Sequence, residues 1–255
     1  MQLNPAGFAA IGAAGVAAGL VNAVAGGGSL ISFPVLTALG LPSLIANISN
    51  SVALSPGYGG AVLAQRRDLQ GQRRRLFWLL PSACLGGWLG AWLLLASGDR
   101  SFRMLVPWMI LLGAGLLAVQ DPLRRWLLLQ GQQQQRQARG RWSLPAVLLA
   151  SIYGGYFGAG LSVILLAVLG ICLEDSLTRL NGLKQAIALS ANLSASVLFL
   201  GAGRIDWAAT LVLGVGAVVG GSLGGRLASR LDPNRLRKLV ILVAVVVAVV
   251  FFLKS

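Results

Sequence analysis

The chain has 255 residues, of which 56% are hydrophobic and only 11% charged, whereas a soluble domain carries about 25% charged residues. A net charge of +14 would suit a nucleic-acid binder, but the basic residues sit in short clusters between apolar runs, as membrane topology signals do. With no histidine, and with Cys84 and Cys172 both inside apolar segments, no zinc or haem site is expected, and no cofactor.

Residues 1–5 form a short uncharged tail, and the first basic residue is Arg66, so a cleavable signal peptide with a charged n-region is not expected. Residues 6–40 are apolar but interrupted at Gly26, Gly27 and Gly28, with Asn22 just before the break and Ser29 just after it. Glycines let the backbone leave helical geometry without a Cβ penalty. The half-helix restarting at Ser29 would present free N–H groups and a positive dipole end, an anion site that needs no charged side chain. Next, Asn47, Asn50, Ser51 and Tyr58 follow i, i+3, i+4 and i+11 and so share one helix face.

A basic cluster at 66–75 precedes two runs, 76–96 and 104–119, each apolar enough to cross a hydrocarbon core about 30 Å thick. The Gln- and Arg-rich stretch 121–142 has no span of its own. Beyond it a second break, Gly158 and Gly160 followed by Ser162, leads to Asn181, Lys184, Gln185 and Asn192, spaced as in the first polar face. The apolar runs 207–225 and 238–253 complete the chain. Strand-like alternation is absent, which argues against a β-barrel. The fold class read from this is an all-α polytopic membrane protein of about eight full spans plus half-helices.

The two halves match. Ala25-Gly26-Gly27-Gly28-Ser29 is answered by Phe157-Gly158-Ala159-Gly160-Leu161, and Ala53-Leu54-Ser55 by Ala188-Leu189-Ser190. Arg66-Arg67-Asp68 recurs as Arg204-Ile205-Asp206, Gly86-Gly87-Trp88-Leu89-Gly90 as Gly220-Gly221-Ser222-Leu223-Gly224, and Arg103-Met104-Leu105-Val106 as Arg237-Lys238-Leu239-Val240. A nearly constant offset divides the chain into repeat 1 (1–120), a basic linker (121–142) and repeat 2 (143–255). If each repeat opens with a broken helix whose second half turns back, each has five elements and the copies are inverted. The clusters 66–75, 124–141 and 226–238, with Arg179 and Lys184, then face one side and hold 17 of the 21 basic residues. That strong asymmetry makes this side cytoplasmic and both termini external, and midplane breaks between inverted repeats are a common transporter construction.

Polar residues at membrane depth point to function by default, so the two polar faces and two glycine breaks form the candidate binding site. Lys184 would offer an anion a compact positive charge, although a lysine at a helix end can also snorkel to the headgroups. Many of the 34 glycines, including Gly86–Gly90 and Gly220–Gly224, read as close helix packing instead. All seven acidic residues fall in or beside predicted loops, so a buried carboxylate cage for a metal cation is not expected. A small anion carried by alternating access is the leading reading. A channel using the same site and a carrier of small carboxylates stay open, and an intramembrane enzyme lacks a nucleophile with its base. The expected partners are a small anionic solute and membrane lipid, not nucleic acid, and the sequence leaves a homodimer open.

Asn22-Ala23-Val24-Ala25-Gly26-Gly27-Gly28-Ser29-Leu30-Ile31 followed by Phe33-Pro34-Val35-Leu36 resembles the first signature of the TauE/SafE sulfite-exporter permeases. Leu41-Pro42, Ala46-Asn47-Ile48-Ser49-Asn50, Arg66-Arg67-Asp68 and Asn181-Gly182-Leu183-Lys184-Gln185 extend the resemblance over both halves. It implies a multi-pass carrier of the bacterial cytoplasmic membrane for small anions, typically sulfur-containing ones such as sulfite, sulfonates or thiosulfate.

Overall fold

The computed structural model describes residues 4–24, 27–130, 142–227 and 232–254; Gly26 and residues 131–141 of the basic linker lie outside them. The described residues form helices α1 (Pro5–Val24), α2 (Ser29–Ala38), α3 (Ser43–Ala64), α4 (Arg73–Gln130), α5 (Ser143–Tyr156), α6 (Leu161–Cys172), α7 (Leu177–Ala202), α8 (Trp207–Leu227) and α9 (Pro233–Lys254). Of these, α1, α4, α7, α8 and α9 are long and apolar enough to cross a membrane. By contrast α2, α5 and α6 have 10, 14 and 12 residues. At about 1.5 Å per residue they reach only about halfway to two-thirds through a bilayer core.

A straight helix of 58 residues would span about 87 Å, nearly three bilayer cores. It does not stay straight: Gly98 takes φ 70° and ψ 169°, which only glycine adopts readily. The second arm folds back beside the first, bringing Leu79 and Leu127 into one buried cluster with Val147 and Leu169. The arm then continues as helix to Gln130, ten residues into the stretch that composition marks as linker. There Asp121 pairs with the buried Arg237 of α9.

The same contacts fix the course of α5 and α6. Gly86 and Gly90 on the outgoing arm meet Leu148 and Ile152 of α5 in rising order, while Gly113, Leu116 and Leu127 on the returning arm meet Ala159, Gly160 and Gly170. Thus α5 runs out with the first arm, the chain turns at the glycine break, and α6 runs back with the second. On the other flank α1 runs parallel to α8, with Gly12, Val16 and Leu20 against Gly216, Gly220 and Gly224. A Cβ on Gly220 would lie 1.9 Å from the Val16 carbonyl oxygen, and one on Gly90 would lie 2.0 Å from that of Ile152. These glycines allow backbones to touch, as small residues do in helix packing within lipid.

The bundle therefore has two distinct ends. At one, Arg75 reaches Asp175 at 2.5 Å, Arg179 reaches the same carboxylate at 2.9 Å, and the Gln72 side chain donates to the Arg179 carbonyl at 3.1 Å. Among the described residues, the basic cluster 66–75 lies at this end. At the other, the Leu44 N–H donates to Asp99 and the Asp206 N–H donates to Ser49. The outward faces are apolar, with Leu149, Val197, Val215 and Leu242 about two-thirds exposed. Exposed tryptophans (Trp78, Trp126 and Trp142 at the basic end, Trp207 at the other) sit where indoles gather at membrane–water interfaces.

Candidate anion-binding site

The two breaks differ in detail but leave the chain in the same way. Gly27 has φ 84°, and Gly158 and Gly160 have φ 80° and 78°, values that penalise any residue with a Cβ. Across the first break, the Gly28 N–H donates to the Asn22 side-chain oxygen at 3.2 Å, so the last turn of α1 caps the first turn of α2. Across the second, the Tyr153 hydroxyl donates to the Ala159 carbonyl at 2.5 Å and braces the turn into α6. Leu117 covers Gly27 and Leu116 covers Gly160, so both breaks lie against one turn of the returning α4 arm.

Between them is a cavity of about 220 Å³. Gly27 and Ser29 bring the start of α2 to its wall, and Gly158, Gly160 and Ser162 bring the start of α6. The first-turn amides of Leu30, Ile31, Leu161 and Val163 donate to Gly27, Gly28, Gly158 and Gly160, which leaves those of Ser29 and Ser162 at the positive dipole ends of two half-helices that converge on the same space. The amides of Asn22, Asn181 and Gln185, the Tyr58 phenol and the buried Lys184 complete the polar lining, with Ala23, Leu117, Leu161 and Val163 as apolar patches. No Asp or Glu is among the described residues lining it, and no His, Cys, Asp and Glu group able to hold a metal occurs among the described residues. A space with one cation, amide and hydroxyl donors and no carboxylate among its described lining residues favours an anion.

Ten residues singled out in the sequence meet here: Asn22, Gly27, Ser29, Tyr58, Gly158, Gly160, Ser162, Asn181, Lys184 and Gln185. Gly26 lies outside the described residues. Gly28 stands just behind the wall, too close to the Ala18 carbonyl for any side chain. Asn47 and Asn50 go elsewhere: the Asn47 amide donates to the Tyr156 carbonyl at 3.0 Å, and Asn50 accepts from the Ser32 hydroxyl at 2.5 Å. Ser51 stays with them, its carbonyl accepting from Ser55. The reason is direction: α3 and α7 run antiparallel, so the polar start of each helix faces the end of the other. Eleven residues separate Asn47 from Tyr58, about 16 Å of helix, and only Tyr58 reaches the cavity.

Two amides enter the site that sequence reasoning missed. Gln65 caps the end of α3 and accepts from the Asn181 amide at 2.8 Å, tying α3 to α7 at the cavity wall. Its signal was available, since Gln65 lies two turns beyond Tyr58 on the same face. Gln120, one turn beyond Leu117, has its buried Oε1 without a hydrogen-bond partner. It fell at the edge of the apparent linker, where a glutamine carries no signal.

Toward the opposite end the cavity is closed. Phe33, Phe102 and Phe157 are buried, with ring centroids 5.5–6.4 Å apart, and Tyr156 and Phe251 extend the cluster. Edge-to-face aromatic pairs of this kind contribute about 0.5–1.5 kcal/mol each beyond the area they bury, which makes the plug a firm one.

Comparison with known proteins gives one consistent answer. The sequence pattern of the sulfite exporter TauE/SafE family matches residues 11–251. A protein of Haemophilus influenzae named "Probable membrane transporter protein" is 26% identical over 230 residues, which cover 90% of this chain and 88% of that one. "Probable membrane transporter protein ORF9" of a Sinorhizobium species is 25% identical over 239 residues (91% and 87%), and "Probable membrane transporter protein YfcA" of Escherichia coli K12 is 24% identical over 238 (91% and 84%). No solved structure matches the chain. With apolar helices throughout, two half-helices meeting at a polar cavity, and a family pattern running almost end to end, the chain is a multi-pass membrane transporter that belongs to the sulfite exporter TauE/SafE family.

Proposed function

We propose that this transporter is a secondary carrier of a small anion, of the sulfur oxyanion or organosulfonate class, working by alternating access between two inverted repeats. The observation that carries the reading is the convergence of two half-helix starts and Lys184 on one cavity without a carboxylate. A tetrahedral or pyramidal oxyanion presents several acceptors to such a ring of donors, and about 220 Å³ leaves room for a short carbon chain. The family name points to the same class.

Reciprocal packing supports the inverted arrangement. Helix α1 packs on α8 and α5 on the outgoing α4 arm, α2 packs on α9 and α6 on the returning arm, and α3 pairs with α7. Each contact thus recurs between the counterparts of the two elements that make it. The 17-to-4 division of basic residues supports a cytoplasmic basic end, and the same reading has the carrier in a bacterial inner membrane. The cavity then faces inward in this state while the aromatic cluster closes the outer side. The site's work is binding and release, with no covalent step.

The test is solute flux in proteoliposomes with sulfite, thiosulfate, a two-carbon sulfonate, a two-carbon carboxylate and potassium, wild type beside Lys184→Ala. Saturable flux of a sulfur anion, lost in the variant, is expected. Flux confined to the carboxylate or potassium would refute the substrate class, and wild-type flux in Lys184→Ala would refute the site. Unitary currents in a planar bilayer would replace the carrier with a channel.

A further inference from the structure

The binding cavity does not end at Tyr58. A second space of about 440 Å³ shares Asn22, Tyr58, Gln65, Ser162 and Gln185 with it and continues between α3 and α8, past Gly57 and Gly60 on one side and Gly221 on the other. The two helices touch at Ala53, whose carbonyl oxygen would lie 3.3 Å from a Cβ on Gly214, and at Leu54, buried in one cluster with Ala217. Beyond it they part. A Cβ on Gly57, Gly59 or Gly60 would have nothing within 4 Å.

The change coincides with Pro56 inside α3. A proline within a helix removes one backbone donor, crowds the preceding turn and kinks the axis. Helix α7 has Ser190-Ala191 where α3 has Ser55-Pro56, and its seam with the outgoing α4 arm is shut. There the Ala191 carbonyl would lie 2.1 Å from a Cβ on Gly87, Ser194 donates to the Cys84 carbonyl at 2.7 Å, and Ser190 donates to that of Leu80 at 3.0 Å. One seam is open and its counterpart is sealed: α3 has Pro56-Gly57-Tyr58-Gly59-Gly60 where α7 has Ala191-Asn192-Leu193-Ser194-Ala195.

We infer that the cleft between α3 and α8 is the route by which the solute passes between the binding cavity and the basic end of the bundle. This rests on the carrier reading above. The open half of α3 leads directly to Arg66 and Arg67, both exposed, and positive charge at the mouth of a low-dielectric cleft concentrates anions there. Beyond the residues shared with the cavity the walls are mostly small, with Gly57, Gly60, Ala61, Ala64, Ala217 and Gly221, which leaves width for a solute. A lipid chain is the competing occupant, and the experiment separates the two.

Because nothing lies near its Cβ, Gly60 accepts a large side chain without disturbing the fold, so Gly60→Trp fills the cleft. In proteoliposomes, Gly60→Trp is expected to lower sulfite and thiosulfate flux at least tenfold. Gly115→Trp, equally free of neighbours but on the outer face of α4, is expected to stay within twofold of wild type. In a Cys84→Ser, Cys172→Ser background, a Gly60→Cys thiol is expected to react with a charged, membrane-impermeant methanethiosulfonate added from the basic side. Wild-type flux in Gly60→Trp, or a thiol reached only by a lipid-soluble maleimide, overturns the route. If wild type carries none of the tested anions, the carrier reading fails instead, and the reactivity of the thiol then decides whether the cleft is open to water.

Discussion

The seam between α1 and α8 offers a sharp test of the packing. In Gly220→Ala the added methyl would lie 1.9 Å from the Val16 carbonyl oxygen and 2.6–2.7 Å from its carbonyl carbon and Cα. Ordinary contact begins near 3.4 Å, so α1 and α8 must separate by roughly 1.5 Å. The obstacle is backbone, which cannot swing aside as a side chain would. The separation also loosens Gly216 against Gly12 and Gly19 against Ala217, the neighbouring close approaches of the seam. Overpacking at a well-packed site costs about 1–3 kcal/mol, and loss of contact along two further turns places this case at the upper end. At about 2–4 °C per kcal/mol for a chain of this length, the melting temperature in detergent should fall by roughly 5–10 °C. Seven tryptophans supply a fluorescence readout. Gly115→Ala is the matched reference: its Cβ meets nothing within 4 Å, and alanine's better helix propensity, worth about 1 kcal/mol, should hold or raise the melting temperature. A Gly220→Ala variant melting within a degree of wild type, or below it by no more than Gly115→Ala, would refute the parallel close packing of these helices.

Other consequences follow from the charged and polar contacts. Asp121→Ala leaves Arg237 buried without its carboxylate, which should cost about 3–5 kcal/mol; the double change Asp121→Leu with Arg237→Leu should recover most of it, and a double variant no more stable than the single one would show the pair is not the cause. Burial pushes the Asp175 carboxyl up, but hydrogen bonds from Arg179 and Arg75 outweigh it and hold the group below its ordinary range. Its stabilisation is therefore complete above the unfolded-state value near 4, about the ordinary carboxylate value, and is lost as pH falls through the lower folded value. Melting curves from pH 7 to pH 3 should show that acid loss in wild type and less of it in Asp175→Asn; identical curves would remove Asp175 from the account. Asn22→Ala leaves the Gly28 N–H without its acceptor, a loss of about 1 kcal/mol. The apparent KM for the transported anion should rise, and an unchanged KM would place Asn22 outside the site.

The class of the molecule was legible in the sequence because it depends on composition and local pattern. Apolar runs without faces, charge confined to short clusters and glycines within a span are each properties of a few adjacent residues, and lipid leaves helix as their economical solution. The breaks at Gly27 and at Gly158–Gly160 could be placed for the same reason: positive φ is a local demand. Helical period also put Asn181, Lys184 and Gln185 on one face, where they line the cavity together. What a face meets is not a local property. Asn47 and Asn50 have the same periodicity, yet the antiparallel course of α3 and α7 sends them to Tyr156 and Ser32, about 16 and 12 Å of helix from Tyr58, which reaches the cavity. Only the return of α4 at Gly98 brings Gln120 beside the start of α6, and only the pairing of α3 with α8 leaves a cleft beside Pro56, Gly57 and Gly60. Local backbone chemistry chose the helices and their breaks, while contacts between residues about a hundred positions apart decided which polar groups would share one space.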